Sequence, residues 1–198
     1  MSKQDAYETL LDYPKKFGIN YETHESQNRF YLLPNDPFLR TKYIVFKIEE
    51  LFFCAYDSYA AKAYTSNTYT GIYGLINLPE DFECRIYIRD WMDLFLRTNK
   101  KKTGDKTVDD KLTITSNSKD LPQGLLSEKD ALLLQKINSV ITPIELLIQN
   151  DYRPIIRELG NKKIIGLETN QWIYKKEELD IFINTGSSLI KNITKACA

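Results

Sequence analysis

The stretch YIVFKIEELFFCAY, residues 43–56, alternates in its first half and is almost wholly apolar in its second half. Within 44–48 the even-numbered residues are isoleucine, phenylalanine and isoleucine, and Glu49 and Glu50 separate them from the run 51–56. Period-two patterning with aromatic and β-branched residues is typical of strands that bury one face. The stretch therefore predicts two consecutive strands joined by a turn at the two glutamates.

Similar patterns extend in both directions along the chain. The segment 69–78 is apolar on one parity and contains Gly71 and Gly74, which inside a strand mark a bulge or a close approach. The longest alternating run is 84–96, and 108–114 is predicted to return beside it as a long antiparallel hairpin around a polar loop. Shorter strands are predicted at 28–33, 144–148, 164–167 and 172–174.

Three segments have helical spacing of their apolar residues. A first helix over 3–13 is expected to end at Pro14, which lacks a backbone N–H. A second helix begins after Ser127, a favoured N-cap residue followed by acidic side chains. A third runs from about residue 177 towards the C-terminus, with an acidic start and a basic end.

The order of these elements predicts the fold class. Strands come first and helices later, without strict alternation, which favours an α+β fold over a doubly wound sheet. We expect a mostly antiparallel, twisted sheet packed by two or three helices. The chain is predicted to form one domain over 1–198, with a weak division near 116–126, where Pro122 and Gly124 break the pattern.

Composition narrows the classes of function. The chain has 198 residues, with 27 basic and 27 acidic side chains, so it offers no concentrated positive charge for nucleic acid, and nucleic-acid binding is disfavoured. The three cysteines lack CxxC spacing, which suits a reducing compartment better than a disulfide framework. No apolar run approaches transmembrane length and no signal-peptide pattern is present. We therefore expect a cytoplasmic protein.

Motifs that carry chemistry are missing from the sequence. His24 is the only histidine, lies among polar residues and is predicted to be in a solvated loop. The chain has neither a phosphate-binding glycine loop nor a histidine-rich metal pattern, so no catalytic residue, metal ligand or cofactor is assigned. Paired carboxylates such as Glu49–Glu50 and Asp109–Asp110 leave a hydrolase using carboxylates or an oxygen-ligated metal as an alternative function.

Tyrosine is the most unusual component, with 13 residues in the chain. Its broad amphipathic ring is enriched at protein interfaces and is also common on half-exposed strands. We expect a non-catalytic accessory domain whose partner is another protein; an immunity- or inhibitor-type protein is a further alternative. The predicted binding surface consists of Tyr56, Tyr59, Tyr64, Tyr69 and Tyr73.

The segment 102–127 contains a Thr103-Gly104-Asp105 turn, the strand-like run 111–116 and a Leu125-Leu126-Ser127 helix start. It resembles a pattern in uncharacterised bacterial domains that are often tethered to membrane-anchored chains. In that pattern the turn precedes a Phe-Asp pair, whereas this chain has Val108 and Asp109. The resemblance covers about 25 of the 198 residues and implies an α+β domain of unknown function.

Overall fold

The structure is a computed structural model that describes residues 3–29, 37–60, 65–90, 100–150 and 155–198. Four helices occur in this part of the chain: α1 (Lys3–Lys16), α2 (Lys106–Lys111), α3 (Glu128–Asn138) and α4 (Lys176–Ala196). The strands are β1 (Tyr21–Arg29), β2 (Pro37–Ile48), β3 (Leu51–Ala60), β4 (Thr65–Leu75), β5 (Cys84–Ile88), β6 (Lys100–Lys101), β7 (Leu112–Ser116), β8 (Glu145–Asn150) and β9 (Lys163–Thr169).

The described strands form one antiparallel sheet of nine strands in the order β1-β2-β3-β4-β9-β8-β5-β7-β6. The fold is therefore α+β, which confirms the predicted class. The first four strands are consecutive neighbours, and β9 joins them to the remaining strands. Strands from both sides of 116–126 lie next to each other, because β8 pairs with β5.

The hairpin predicted at 43–56 is present as β2 and β3. Ile48 pairs with Leu51, and Glu49 in the turn has a positive φ of 53°. The even-numbered residues of β2 and the odd-numbered residues of β3 point to the same side of the sheet, as alternation requires. On that side Phe46 stacks on Phe53 with ring centroids 4.5 Å apart.

One side of the sheet, the helix face, carries the main hydrophobic core. Helices α1, α3 and α4 supply Leu10, Leu134 and Phe182, each at most 1% exposed, to this core. The Phe182 ring meets Phe53 edge-on, with centroids 6.5 Å apart. Apolar burial of this extent is the dominant favourable contribution to folding and fixes the helices on this face.

The other side, the strap face, carries a smaller core. A turn-rich segment, residues 155–162, crosses it and is called the strap; its Ile156 and Leu159 are buried. They pack on strand residues together with partly buried tyrosines, and no helix of the described chain contributes to this cluster, whose strand members are Val45, Phe52, Cys54, Tyr73 and Ile164. The strap therefore covers the apolar residues of this face, as the helices cover those of the other face. It contributes far fewer side chains than the helices do.

The helix predictions were right in position and wrong in one boundary. Ser127 caps α3: its side chain accepts from the Asp130 amide, and the Asp130 carboxylate accepts from the Ser127 amide. The prediction that Pro14 ends the first helix was wrong, because α1 continues to Lys16. Gly18, with φ of 62°, follows the helix in the left-handed conformation that ends many helices.

The long hairpin predicted from 84–96 and 108–114 is only partly correct. β5 does pair with β7, but strand structure ends at Ile88, and residues 91–99 lie outside the described residues. Val108 is not in a strand but in α2, because Asp105 accepts hydrogen bonds from the Thr107 and Val108 amides and caps that helix. Within the predicted polar loop, Lys100 and Lys101 form the edge strand β6.

Two further predictions were wrong. Residues 172–174 are not a strand, because a side chain binds the backbone here: the Ile173 amide donates to Thr70 Oγ1 at 3.4 Å, and the Thr70 hydroxyl donates to the Gln171 carbonyl at 2.8 Å. His24 is exposed, as predicted, but it lies in β1 and not in a loop. The strand predicted at 28–33 overlaps the end of β1, and 30–33 lies outside the described residues.

Lys163 is buried, and its ammonium donates to the Glu80 and Phe82 carbonyls at 2.6 and 2.7 Å, which anchors the loop after β4. Within the described ranges no helix is long and apolar enough to cross a membrane.

Candidate functional site

A cavity of about 590 Å³ opens on the strap face between the strap and strands β4, β9 and β8. This volume falls in the range of natural ligand sites. Apolar groups of the strap and of Ile164 line one part of the cavity, and polar groups line the rest. Its polar lining includes Tyr56, Asn67, Tyr69, Arg85, Glu145, Gln149, Glu168 and Asn170.

The floor of the cavity is built around Tyr73. Its ring lies across two strands, and its hydroxyl donates to Glu168 Oε1 at 2.8 Å. A β-carbon at position 166 would lie 2.8 Å from this ring, and one at position 71 would lie 2.2 Å from the hydroxyl oxygen. Gly166 and Gly71 are therefore the residues that allow the phenol to lie flat on the sheet.

Burial also keeps the Tyr73 hydroxyl protonated. Tyr73 is 7% exposed, and desolvation raises the pKa of its phenol well above the ordinary value, with the Glu168 charge adding to the effect. The hydroxyl thus acts as a hydrogen-bond donor throughout the neutral pH range.

Cys54 lies beside this floor on β3. Burial, with the charge of Glu168 as a smaller cause, raises the pKa of its thiol to about 12, and the Tyr69 side chain hydrogen-bonds to it. The thiolate is the reactive form of cysteine, so a thiol with this pKa is not a nucleophile at neutral pH.

An ion pair forms the opposite wall. Arg85 Nε donates to Glu145 Oε2 at 2.7 Å, and Nη2 donates to Oε1 at 2.5 Å. These hydrogen bonds raise the pKa of the Arg85 guanidinium. Both oxygens of Glu145 are thereby engaged by a planar, permanently charged partner.

A row of aromatic rings runs along the strap face from the sheet edge to the cavity. His24, Tyr43, Tyr56 and Tyr69 are consecutive register partners on β1, β2, β3 and β4; we call them the aromatic row. His24 stacks on Tyr43 at 5.1 Å and 18°, and Tyr56 stacks on Tyr69 at 5.0 Å and 20°. Stacked cross-strand pairs stabilise a sheet and fix its register.

The structure divides the five predicted tyrosines. Tyr56, Tyr69 and Tyr73 come together at the cavity. Tyr59 has the opposite parity on β3 and points to the helix face. Tyr64 lies outside the described residues.

Several cavity residues were not predicted from the sequence. Glu168 and Glu145 are register partners on β9 and β8, and both line the cavity, yet they are distant from the tyrosines in sequence. One signal was present: Gly166 interrupts an apolar strand two residues before Glu168. A glycine inside a strand indicates the close approach of another group, here the Tyr73 ring.

Three carboxylates of the pairs predicted from the sequence, Glu49, Glu50 and Asp109, have structural partners. Asp109 accepts hydrogen bonds from the Thr103 and Gly104 amides, and so closes the turn that precedes α2. Glu49 and Glu50 both bind Lys191 on α4. Among the described residues, no group of three or more histidine, cysteine or acidic side chains is placed to hold a metal ion.

Comparison of this chain with protein families, curated proteins and solved structures finds no match. The resemblance of the segment 102–127 to uncharacterised bacterial domains therefore stays a prediction. The structure explains that segment locally, through the Asp105 cap and the Ser127 capping box.

Proposed function

We propose that the chain is a non-catalytic binding domain and that the strap face recognises another protein. The observation that carries this proposal is the aromatic row, which leads from the edge strand β1 to the cavity. Four strands at about 4.8 Å spacing give the row a length of roughly 14 Å. A small molecule held in the cavity would not reach His24, whereas a protein surface of standard size covers about 800 Å² on each partner.

The composition of the face suits such a partner. Interfaces are enriched in tyrosine, and their strongest anchors fill pockets surrounded by polar groups. Here Tyr56 and Tyr69 are half-buried at the cavity, and Asn67, Gln149 and Asn170 supply amide donors and acceptors around them. This arrangement offers apolar contact and hydrogen bonds over one surface.

The state of the reactive groups supports binding over catalysis. Burial raises the pKa of the Cys54 thiol and of the Tyr73 phenol, so both stay protonated well above neutral pH. Both carboxylate oxygens of Glu145 accept hydrogen bonds from Arg85. The Cys54 thiol and the Tyr73 phenol can therefore take part in hydrogen bonds and packing without exchanging protons with a substrate.

The free thiols support a cytoplasmic location for the protein. Cys54, Cys84 and Cys197 are all unpaired, as expected of a reducing compartment such as the cytoplasm, where we place the protein. An inhibitor- or immunity-type protein is the form of this function in which the partner is an enzyme.

The proposal is tested by affinity capture from host lysate with mass spectrometry. The double variant Tyr56→Ala with Tyr69→Ala is expected to lose a partner that the unmodified chain captures in stoichiometric amount. Tyr59→Ala is the matched control, because Tyr59 is on the same strand as Tyr56 and faces the other side. Equal capture by all three chains, with circular dichroism showing each one folded, would remove the proposal.

One observation favours a second candidate, a hydrolase that uses paired carboxylates. Glu145 and Glu168 are directly opposite on neighbouring strands, which sets their β-carbons about 5 Å apart. Most glycosidases act through two carboxyl groups that flank one glycosidic bond, and both of these glutamates line the cavity. A panel of chromogenic glycosides tests this candidate: it requires turnover that both Glu145→Gln and Glu168→Gln abolish, and absence of turnover across the panel rejects glycosidase activity.

A further inference from the structure

The aromatic row stops at the cavity. Each of the strands β1 to β4 places one ring in the row, in direct register. The next strand is β9, whose last register pair with β4 is Thr70 with Thr169. Continuing that register sets Asn170 beside Tyr69, so the row meets a short amide side chain where a fifth ring would lie.

The surroundings of Tyr69 leave space for such a ring. Tyr56 stacks on one side of Tyr69, and the Tyr69 hydroxyl is engaged with Cys54. On the β9 side lies the cavity of about 590 Å³, which Tyr69 and Asn170 both line. The ring is therefore held in place by its neighbours and borders unfilled volume.

Resting on the proposed function, we propose that the cavity receives an aromatic side chain of the partner protein, which stacks on Tyr69 and completes the aromatic row. Offset stacking of parallel rings is a favoured aromatic geometry, and the existing pairs already adopt near-parallel planes. Ile156 and Leu159 of the strap provide apolar contact for the ring at the cavity.

The polar lining points to tyrosine or tryptophan. Both carry a hydroxyl or N–H at the ring edge that needs a partner when buried. Asn67, Gln149 and Asn170 line the cavity with amide groups that can accept such a hydrogen bond. An aliphatic side chain would use neither the stacking surface nor these acceptors.

The test uses probes that carry the side chain alone. N-acetyl-tryptophanamide and N-acetyl-tyrosinamide are titrated into the full chain and followed by NMR, with N-acetyl-leucinamide as the aliphatic control. We expect the aromatic probes to shift the Tyr69 ring resonances and the leucine probe to leave them unchanged. Adenosine is included as a planar heterocycle, and preferential binding of adenosine would overturn the proposal by indicating a nucleobase site.

Two substitutions at one position separate stacking from other roles. Tyr69→Phe keeps the ring and is expected to bind the aromatic probes within about twofold of the unmodified chain, because its stacking face is unchanged. Tyr69→Leu keeps an apolar side chain without the ring and is expected to bind about tenfold more weakly. Equal affinity in the two variants, both folded by their thermal melts, would overturn the proposal.

The same variants distinguish this proposal from the proposed function. Partner capture that the Tyr56→Ala, Tyr69→Ala chain loses but Tyr69→Leu retains would refute the inserted ring and leave protein binding in place. Aromatic-probe binding by a chain that captures no protein would remove the proposed function, and with it the partner as the source of the ring.

Discussion

Both faces of the sheet bury large side chains, but the two sets differ in their chemistry. On the helix face the rings of Phe46, Phe53 and Phe182 fill a continuous apolar core. On the strap face Phe52 packs in the smaller core, while three tyrosines and His24 form a row that ends at a cavity. Phenol rings give a face nearly as apolar as phenylalanine but carry hydroxyls that need partners. In our proposal the helix face provides most of the stability and the strap face provides recognition.

The largest expected difference comes from one substitution made on both faces. Leu134 on α3 is 1% exposed and Leu159 in the strap is 2% exposed, so Leu→Ala removes the same buried atoms from each. We expect Leu134→Ala to lower the free energy of unfolding by about 3–4 kcal/mol and Leu159→Ala by about 2 kcal/mol or less. The strap can collapse onto the neighbouring cavity, whereas the helix face cannot. Urea unfolding measures both, and equal losses would contradict the distinction between the faces.

Glycine substitutions give a second matched pair. Alanine at position 166 places its β-carbon against the Tyr73 ring, and alanine at position 186 of α4 places it against the methyl ends of Leu167 and Ile72. We expect Gly166→Ala to cost about 2–3 kcal/mol, because the ring is fixed by its hydrogen bond to Glu168. Gly186→Ala is expected to cost about 1 kcal/mol or less, since methyl groups shift and alanine favours the helix by up to about 1 kcal/mol. Thermal melts compare them, and a larger loss at 186 would reverse the expected order.

Stability at alkaline pH tests whether the two faces exclude water equally well from a buried thiol. Burial raises the pKa of Cys54 on the strap face and of Cys84 on the helix face to about 12, from 9.0. Below pH 9 both folded and unfolded chains hold these protons; above it only the unfolded chain releases them, so stability falls as pH rises towards 12. Each thiol contributes about 1.4 kcal/mol per pH unit within that window.

The corresponding variants isolate each thiol. Cys54→Ala and Cys84→Ala are each expected to make the loss of stability between pH 9 and 10.5 less steep, as measured by urea midpoints at several pH values. If water reaches Cys54 in the folded chain, the pKa of its thiol is not raised. Cys54→Ala alone would then leave the pH dependence of stability unchanged.

The smallest expected effect concerns ion pairs. Arg85–Glu145 on the strap face is partly exposed, and pairs of this kind contribute about 0.2–1 kcal/mol, whereas Lys176–Asp180 on α4 is exposed to solvent. Glu145→Gln is therefore expected to lower stability by about 0.5 kcal/mol, and Asp180→Asn is expected to leave the urea midpoint nearly unchanged. If Glu145→Gln alone impairs partner capture, the pair serves recognition; a loss above about 2 kcal/mol would show that it is a structural element of the cavity wall.

Local patterns predicted much of the fold. The alternation in 44–48 and the apolar run after Glu50 indicated β2 and β3, and Ser127 marked the start of α3. These features depend on residues close in sequence. The Val108 prediction failed because two local signals compete there. The alternation of apolar residues suits a strand, whereas the Asp105 cap begins a helix.

The candidate site was only half predictable. The sequence indicated a tyrosine-rich segment, and parity alone separates Tyr59 from Tyr56 and Tyr69 once strand bounds are known. The cavity itself depends on the pairing of β4 with β9, which brings together Tyr73 and Glu168, 95 residues apart in sequence. No local pattern specifies that pairing, because it is decided by which faces bury apolar area together.

The same pairing has a kinetic consequence. β1 to β4 can pair as successive hairpins, but β9, the next strand in the sheet, is separated from β4 by residues 76–162. The entropic cost of closing so long a loop must be met before the new contacts form, and folds rich in such contacts assemble in milliseconds to seconds. A four-strand meander without β9 and α4 would expose Ile72 and leave β4 as an open edge. We therefore expect the pairing of β9 with β4 to limit the rate of folding.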